Sequence, residues 1–228
     1  MKADDPAAAL ATESAASGVP LTPTQIATFL HYQRLIARWN SRARLTALID
    51  PLQVVRLHFI DSLLCLRAPF PGAAAVIDVG SGAGLPGIPL AIARPDLHVT
   101  LLESNARKAG FLELAVGELG VRCQVVHERA ESAGRMPALR EQFDVAVARA
   151  VATLPRLAEW TLPFVQVRGL AVLLKGPSVA GELSAAAEII GALGGEPAQA
   201  IFTALPAGEQ RAIVTIRKVS TTPTLYPR

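Results

Sequence analysis

Hydrophobic and polar positions in the first third of the chain follow the helical period. Thr22-Pro23-Thr24-Gln25 has the pattern of a capping box with proline at the first helical position. An apolar face of helical spacing continues over residues 26–39, and a second helix is predicted after Asp50-Pro51. The pattern predicts an N-terminal helical extension over residues 21–72. Residues 1–20 are rich in alanine and serine, lack the apolar centre of a signal peptide, and are expected to form a disordered leader.

From residue 73 onward, short β-branched runs alternate with helical segments. Five runs are predicted to be strands, at residues 76–79, 99–102, 121–126, 143–148 and 170–174. Two further runs, at residues 200–204 and 212–217, are predicted to form an antiparallel pair. Alternating strands and helices predict a parallel sheet with right-handed crossovers. We therefore predict an α/β fold over residues 73–219, a mostly parallel seven-stranded sheet with helices on both faces, and an extended tail over residues 220–228.

The first predicted strand runs into a glycine-rich loop. Residues 76–87 are Val-Ile-Asp-Val-Gly-Ser-Gly-Ala-Gly-Leu-Pro-Gly. Gly80, Gly82 and Gly84 permit positive φ and let a ligand lie against bare backbone. Asp78 precedes them, and a carboxylate at the end of a central strand must face water or a polar ligand. The stretch predicts a nucleotide-type pocket at the carboxyl edge of a parallel sheet.

Two classes of ligand fit this loop. Gly82, Gly84 and Gly87 satisfy the spacing of a dinucleotide site, and Glu103 follows at the distance of a ribose-binding acid, so an NAD-linked oxidoreductase is one candidate. Asp78, however, would place a negative charge beside a pyrophosphate. S-adenosylmethionine has no phosphate and carries an ammonium and a sulfonium. The loop therefore favours S-adenosylmethionine.

Composition narrows the class of protein. The chain has 228 residues, of which 51% are hydrophobic, enough for one α/β domain with a helical extension. Cys65 and Cys123 lie in apolar segments and the four histidines are scattered, so neither a disulfide framework nor a metal site is predicted. No apolar run reaches the roughly 18 residues of a membrane span. We expect a cytoplasmic protein that binds neither metal nor membrane.

The charge of the helical extension indicates a second candidate function, binding of nucleic acid. Between Leu21 and Phe70 six arginines oppose two aspartates, a net charge of +4, and there is no lysine. The planar guanidinium suits phosphates and guanine edges. An ordinary solvated helix face explains the same charge equally well. The arginines are Arg34, Arg38, Arg42, Arg44, Arg56 and Arg67.

Several segments together are similar to one known family. They are Trp39-Asn40, Leu45-Thr46, the motifs from His58 to Ser62 and from Asp78 to Pro89, Arg107 to Leu112, Arg129-Ala130-Glu131, Ala148-Arg149-Ala150, Leu174-Lys175-Gly176 and the tail from Thr222 to Arg228. From about Leu21 to its end the chain resembles the RsmG (glucose-inhibited division protein B) family of bacterial 16S ribosomal RNA guanine-N7 methyltransferases. It departs from the family at Arg44, where asparagine is frequent, and at Glu103, where aspartate is commoner.

The resemblance implies a Rossmann-like class I methyltransferase that uses S-adenosylmethionine to methylate N7 of a guanine in 16S ribosomal RNA, naked or in the small subunit. We expect a monomer. It also implies roles for single residues. The methionine part of the cofactor is assigned to Asp78, Gly80, Gly82 and Leu85, the ribose to Glu103, the adenine to Ala130 and Glu131, the transfer site to Arg149 as catalytic and cofactor-binding residue, and the RNA to Arg34, Arg38, Arg42, Arg44 and Lys175.

Structural explanations exist for several of these residues. Glu103 could cap the following helix, and Glu131 could be a solvated loop acid. Arg149 could be an ion-pair partner of Asp78 or Asp61. A third reading of the whole chain is an RNA-binding module with a vestigial cofactor site, against which the intact glycines and acids weigh.

Overall fold

The computed structural model describes residues 5–149 and 152–228, and its centre is one seven-stranded sheet with the strand order β3-β2-β1-β4-β5-β7-β6. The strands are β1 Ala75–Val79, β2 His98–Glu103, β3 Cys123–His127, β4 Phe143–Arg149, β5 Val165–Lys175, β6 Gln199–Ala204 and β7 Gln210–Arg217. The first five strands are parallel to one another, and β7 lies antiparallel between β5 and β6. The predicted α/β fold and its antiparallel pair are confirmed.

Helices cover both faces of the sheet. They are α1 Pro6–Ala16, α2 Pro23–Ala43, α3 Pro51–Val54, α4 Asp61–Leu63, α5 Gly87–Ala93, α6 Ala106–Leu119, α7 Ala130–Ala133, α8 Leu154–Thr161 and α9 Leu183–Ala192. A π-helical turn, Val55–Ile60, joins α3 to α4, and a 3₁₀ turn, Leu64–Arg67, continues them. None of the helices in the described part of the chain is long and apolar enough to cross a membrane.

The core has two halves because successive strand residues point to opposite faces. Val76 belongs to the half under the N-terminal helices, α5 and α6, whereas Ile77 belongs to the half under α8 and α9. Phe29 and Tyr32 of α2 are fully buried in the first half. The helical extension therefore shares its core with the sheet.

The N-terminal helix α1 is a correction to the expected disordered leader. Asp5 caps it by accepting the Ala7 amide at 3.1 Å, and Leu10 is fully buried. Glu13 accepts from Arg56 Nε at 2.7 Å. Alanine has the highest helix propensity, and tertiary contacts then fix a segment that composition alone suggests is unfolded. Residues 1–4 of the expected leader lie outside the described residues.

Candidate active site

The glycine loop that follows β1 adopts the positive-φ backbone conformation that favours glycine. Gly80, Gly82 and Gly84 have φ of 75°, 59° and 92°. The amides of Gly80 and Ser81 both donate to the carbonyl of Leu102, at 2.9 and 3.0 Å. The loop is thereby fixed to the end of β2, and its glycines expose bare main chain at the carboxyl edge of the sheet.

Two glycines of the loop also allow close packing. A Cβ on Gly84 would lie 2.8 Å from the Tyr32 hydroxyl, and a Cβ on Gly87 would lie 2.8 Å from Asp78 Oδ2. Tyr32 donates its hydroxyl hydrogen to the carbonyl of Ala83. The helical extension thus contacts the loop directly, through a residue that the sequence analysis did not select.

A cleft of about 300 Å³ lies beside the loop, at the small end of the range for ligand sites. Its lining comes from the ends of β1 and β2, the loop after β3, and helices α6, α7 and α8. The lining residues are Val79, Gly80, Gly82, Leu102, Glu103, Ser104, Lys108, Glu128, Arg129, Ala130, Glu131 and Trp160. The structure brings together five of the predicted cofactor residues here.

Glu103 lines the cleft and connects the glycine loop to the start of α6. Its Oε2 accepts the amide of Gly82 at 2.8 Å, and its Oε1 accepts the amide of Asn105 at 2.8 Å. Asn105 is the N-cap of α6 and its own side chain accepts the Arg107 and Lys108 amides, so Glu103 supports the cap without forming it. Each carboxylate oxygen has two lone pairs, which leaves Glu103 able to accept from a ligand as well.

Asp78 lies beneath the loop rather than on the surface of the cleft. The residue is fully buried, and its Oδ2 accepts the amide of Gly87 at 2.9 Å. Its Oδ1 is buried and has no hydrogen-bond partner within the described residues. Burial raises the pKa of Asp78 to about 7, against the opposing effects of the Gly87 amide and of Ser81. Such an acceptor is costly to bury unless a donor, from water or a ligand, reaches it.

The far wall of the cleft comes from Ala130, Glu131 and Trp160. Glu131 Oε1 accepts from the indole Nε1 of Trp160 at 3.1 Å, and the guanidinium of Arg156 lies 5.1 Å from the Trp160 ring centroid. Glu131 is therefore held by a partner and is not simply a solvated acid. Sequence reasoning missed Trp160, because α8 is amphipathic and its only visible signal was an apolar face.

Arg149, at the end of β4, contacts the helical extension. Its Nη1 donates to the Leu57 carbonyl at 3.0 Å and to Asp61 Oδ2 at 3.1 Å, and its Nη2 lies 3.2 Å from His58 Nδ1. Asp61 Oδ1 also accepts from Arg211 Nε at 2.7 Å. Of the two ion-pair partners considered for Arg149, the structure places it against Asp61.

His58 is a neutral member of this cluster. Burial first, and then the charge of Arg149, lower its pKa to about 4. His58 Nδ1 lies 3.1 Å from the Leu57 carbonyl and 3.2 Å from Arg149 Nη2, and His58 Nε2 lies 2.7 Å from Thr46 Oγ1. The side chain of Asn40 donates to the Thr46 carbonyl at 2.8 Å and accepts the Thr46 amide at 2.9 Å. Arg149 is thereby connected to the end of α2.

The residues expected to bind RNA fall into two groups. Arg34, Arg38, Arg42 and Arg44 are exposed on α2 and directly after it. Lys175 is different, because its ammonium lies 2.8 Å from the Ala152 carbonyl and 3.0 Å from Glu182 Oε2, with a largely buried side chain. The structure places Lys175 in an internal ion pair that holds the start of α8.

Three further positions complete the comparison with the sequence. Leu85 is buried in the core under the N-terminal helices. Ala150, part of the family motif around Arg149, lies outside the described residues, as does Val151. In the described part of the chain no group of three or more His, Cys, Asp or Glu side chains could hold a metal ion.

Comparison with known proteins covers nearly the whole chain. The model of the GidB family, rRNA small subunit methyltransferase G, matches residues 25–214. A ribosomal RNA small subunit methyltransferase G from Moorella thermoacetica is 44% identical over 222 residues, 96% of this chain and 92% of that protein. One from a Roseiflexus species is 42% identical over 92% of this chain and 91% of that protein. Among solved structures, a predicted O-methyltransferase from Agrobacterium tumefaciens matches with a TM-score of 0.56 and 17% identity, over 71% of this chain and 84% of that one.

Proposed function

The chain belongs to the GidB family of rRNA small subunit methyltransferases G, and we propose that it uses S-adenosylmethionine to methylate N7 of a guanine in 16S ribosomal RNA. The observation that carries this proposal is the cleft beside Gly80, Gly82 and Glu103, in a chain of this family. Family membership decides between the two cofactors that the glycine spacing allowed, in favour of S-adenosylmethionine. It also favours an enzyme over a binding module with a vestigial site.

The charges around the cleft fit a cation better than a diphosphate. Glu103, Glu128 and Glu131 line the cleft against Lys108 and Arg129, and the carboxyl of Asp78 lies beneath it. A surplus of acids attracts an ammonium or a sulfonium and repels a pyrophosphate. The unpartnered Asp78 oxygen is an acceptor suited to an ammonium donor. S-adenosylmethionine therefore fits the residues that are present.

Each part of the cleft then has a role in holding the cofactor. We assign the methionine end to the glycine backbone and Asp78, the ribose hydroxyls to Glu103, and the adenine end to Ala130, Glu131 and Trp160. Glu103 is oriented for this role by the Gly82 amide, and Glu131 by the Trp160 indole. S-adenosylmethionine would supply the methyl group as a sulfonium electrophile.

A guanine N7 target is consistent with this site, because methylation at N7 requires no general base. N7 has an in-plane lone pair and no proton, so the protein needs only to hold the two reactants in line. His58, which contacts Arg149, has its pKa near 4 and both ring nitrogens in contact with protein groups. Its imidazole is held as a structural link. We propose that Arg149 positions the substrate side of the site through this link and Asp61.

The exposed arginines of α2 are proposed to hold RNA phosphates. Arg34, Arg38 and Arg42 recur at four-residue intervals, which places them on one side of the helix. The guanidinium of Arg42 also lies 5.4 Å from the Trp39 ring centroid. Since Asn40, Thr46 and His58 connect the end of this helix to Arg149, RNA bound there would lie on the element that adjoins the transfer site. A ribosomal RNA substrate further implies a cytoplasmic protein, and we propose that it acts as a monomer.

Transfer of a labelled methyl group tests the proposal. The purified chain is incubated with S-adenosylmethionine carrying a labelled methyl group and with 16S ribosomal RNA or small ribosomal subunits, and the RNA is digested to nucleosides. Label in 7-methylguanosine is expected. Label in another nucleoside would refute the assigned atom, and no label on either substrate would refute the function. A Glu103→Ala variant controls for contaminating activity and should transfer far less.

A further inference from the structure

The C-terminal tail, residues 222–228, is bound against the segment that follows α7 and against helix α8, two elements that adjoin the cofactor cleft. It is extended with one turn, and its carbonyl oxygens accept hydrogen bonds from two arginines that follow α7. Arg140 donates to Thr222 O at 2.6 Å, to Pro223 O at 3.1 Å and to Tyr226 O at 2.9 Å. Arg135 donates to Pro227 O at 2.6 Å. Charged donors make stronger hydrogen bonds than neutral ones, so these contacts hold the tail firmly.

The start of the tail is anchored in the protein interior. Lys218, fully buried, donates to Thr222 Oγ1 at 2.5 Å, and Thr222 Oγ1 donates to the Leu193 carbonyl at 2.9 Å. Glu141 accepts the Thr222 amide at 2.7 Å. The tail therefore begins at a fixed position, Thr222, in the protein interior.

One end of the cleft wall depends on this tail. Helix α7, which carries Ala130 and Glu131, has only four residues and cannot be stable by itself. It ends at Gly134, where a Cβ would lie 3.0 Å from Pro227 Cγ. Arg140 Nη1 joins the two segments, since it donates to Gly134 O at 2.8 Å as well as to the tail. The tail thus packs against the end of α7.

The other end of the wall is held by the last residue. Glu159 of α8 is buried, and its Oε1 accepts the Arg228 amide at 2.6 Å. The next residue along α8 is Trp160, whose indole donates to Glu131 across the cleft. The guanidinium of Arg228 lies 5.2 Å from the ring centroid of Tyr226. The tail therefore bridges the two helices that form the adenine end of the cleft.

We infer that residues 226–228 are a positioning element of the cofactor site, which sets the distance between α7 and α8 and so the fit of the cleft to S-adenosylmethionine. The inference rests on the proposed function. It gives the tail a role in cofactor affinity and none in RNA binding, because the α2 arginines lie on the opposite face of the sheet.

Two variants test this role. Deletion of residues 226–228 removes the bridge, and Arg140→Met keeps an unbranched side chain but removes every donor that joins Gly134 to the tail. Leu225→Ser alters an exposed tail side chain and serves as the matched control. Ile216→Val, in the same half of the core but away from the tail, controls for a general loss of stability. Calorimetry gives the Kd for S-adenosylmethionine, and steady-state kinetics give its KM and kcat.

The deletion and the Arg140 variant are both expected to raise Kd and KM for S-adenosylmethionine about tenfold. Their kcat at saturating cofactor and their affinity for RNA should stay near those of the wild-type protein. The two controls should leave Kd unchanged. If the deletion does not fold, Arg140→Met alone decides. Unchanged Kd in a folded tail variant, or an equal rise in Ile216→Val, would overturn the inference. Failure of the unaltered chain to bind S-adenosylmethionine would instead overturn the proposed function.

Discussion

An Asp78→Asn substitution separates the effect of the buried Asp78 charge on folding stability from its effect on cofactor binding. Asparagine keeps an oxygen that can accept the Gly87 amide but carries no charge. Burial raises the pKa of Asp78 from 3.8 to about 7, roughly 3 units at 1.36 kcal/mol each, which bounds the stability cost of the charged form at about 4 kcal/mol. The neutral variant therefore avoids a cost that the wild-type protein bears near neutral pH.

The sign of the pH dependence follows from the raised pKa. The folded protein holds the Asp78 proton to a higher pH than the unfolded chain does, so this carboxyl contributes stability below about pH 4 that is lost as the pH rises to about 7. The charges of Arg149 and Glu103 act on the same group in opposite directions. Above pH 7 the variant should be more stable than wild type by up to about 4 kcal/mol, and the difference should shrink steadily as the pH falls from 7 towards 4.

Urea unfolding at several pH values between 5 and 8 measures this difference. Asp144→Asn is the matched control, because Asp144 also accepts a backbone amide, from Ala75 at 2.8 Å, but at a half-buried position. S-adenosylmethionine should bind the Asp78→Asn variant more weakly, since the anionic partner of its ammonium is lost. A variant that is less stable than wild type at pH 8, with a difference that does not vary with pH, would refute the reasoning.

Three further predictions follow from contacts in and around the site. Gly87→Ala should lower the free energy of unfolding by about 1–3 kcal/mol, measured in urea, because its Cβ would crowd Asp78; an unchanged midpoint would contradict this. Arg149→Ala should cost about 3 kcal/mol and lower methyl transfer more than Arg211→Ala, which removes the other partner of Asp61; equal loss of transfer would make Arg149 purely structural. Replacing the exposed α2 arginines with glutamate should weaken RNA binding and flatten its salt dependence; an unaltered slope would exclude them from the interface.

Local signals in the sequence predicted the elements that depend on neighbouring residues. The capping box at Thr22 and Gln25 forms as expected, and its Gln25 amide also donates to the carbonyls of Ile92 and Ala93. The loop glycines, which the sequence analysis expected to permit positive φ, adopt it. The sheet could be predicted because buried parallel strands are short and β-branched, and helices separate them.

Contacts between distant parts of the chain could not be predicted in this way. Nothing near Lys175 in the sequence indicates that its ammonium donates to the Ala152 carbonyl, and nothing near Trp160 indicates that it faces Glu131. Arg149 was selected from its motif, but its partners come from a helical segment about ninety residues earlier. Side-chain partners of this kind are fixed by the packing of the sheet and its helices, which no local pattern specifies.

Mapping of methylated nucleotides in 16S ribosomal RNA tests the central claim most directly. The RNA is isolated from cells that contain this protein, from cells that lack it, and from cells that carry the Glu103→Ala variant. The account predicts one 7-methylguanosine that is present only with the unaltered protein. The same modification pattern in all three RNAs, or a loss confined to a nucleotide other than a guanine methylated at N7, would contradict it.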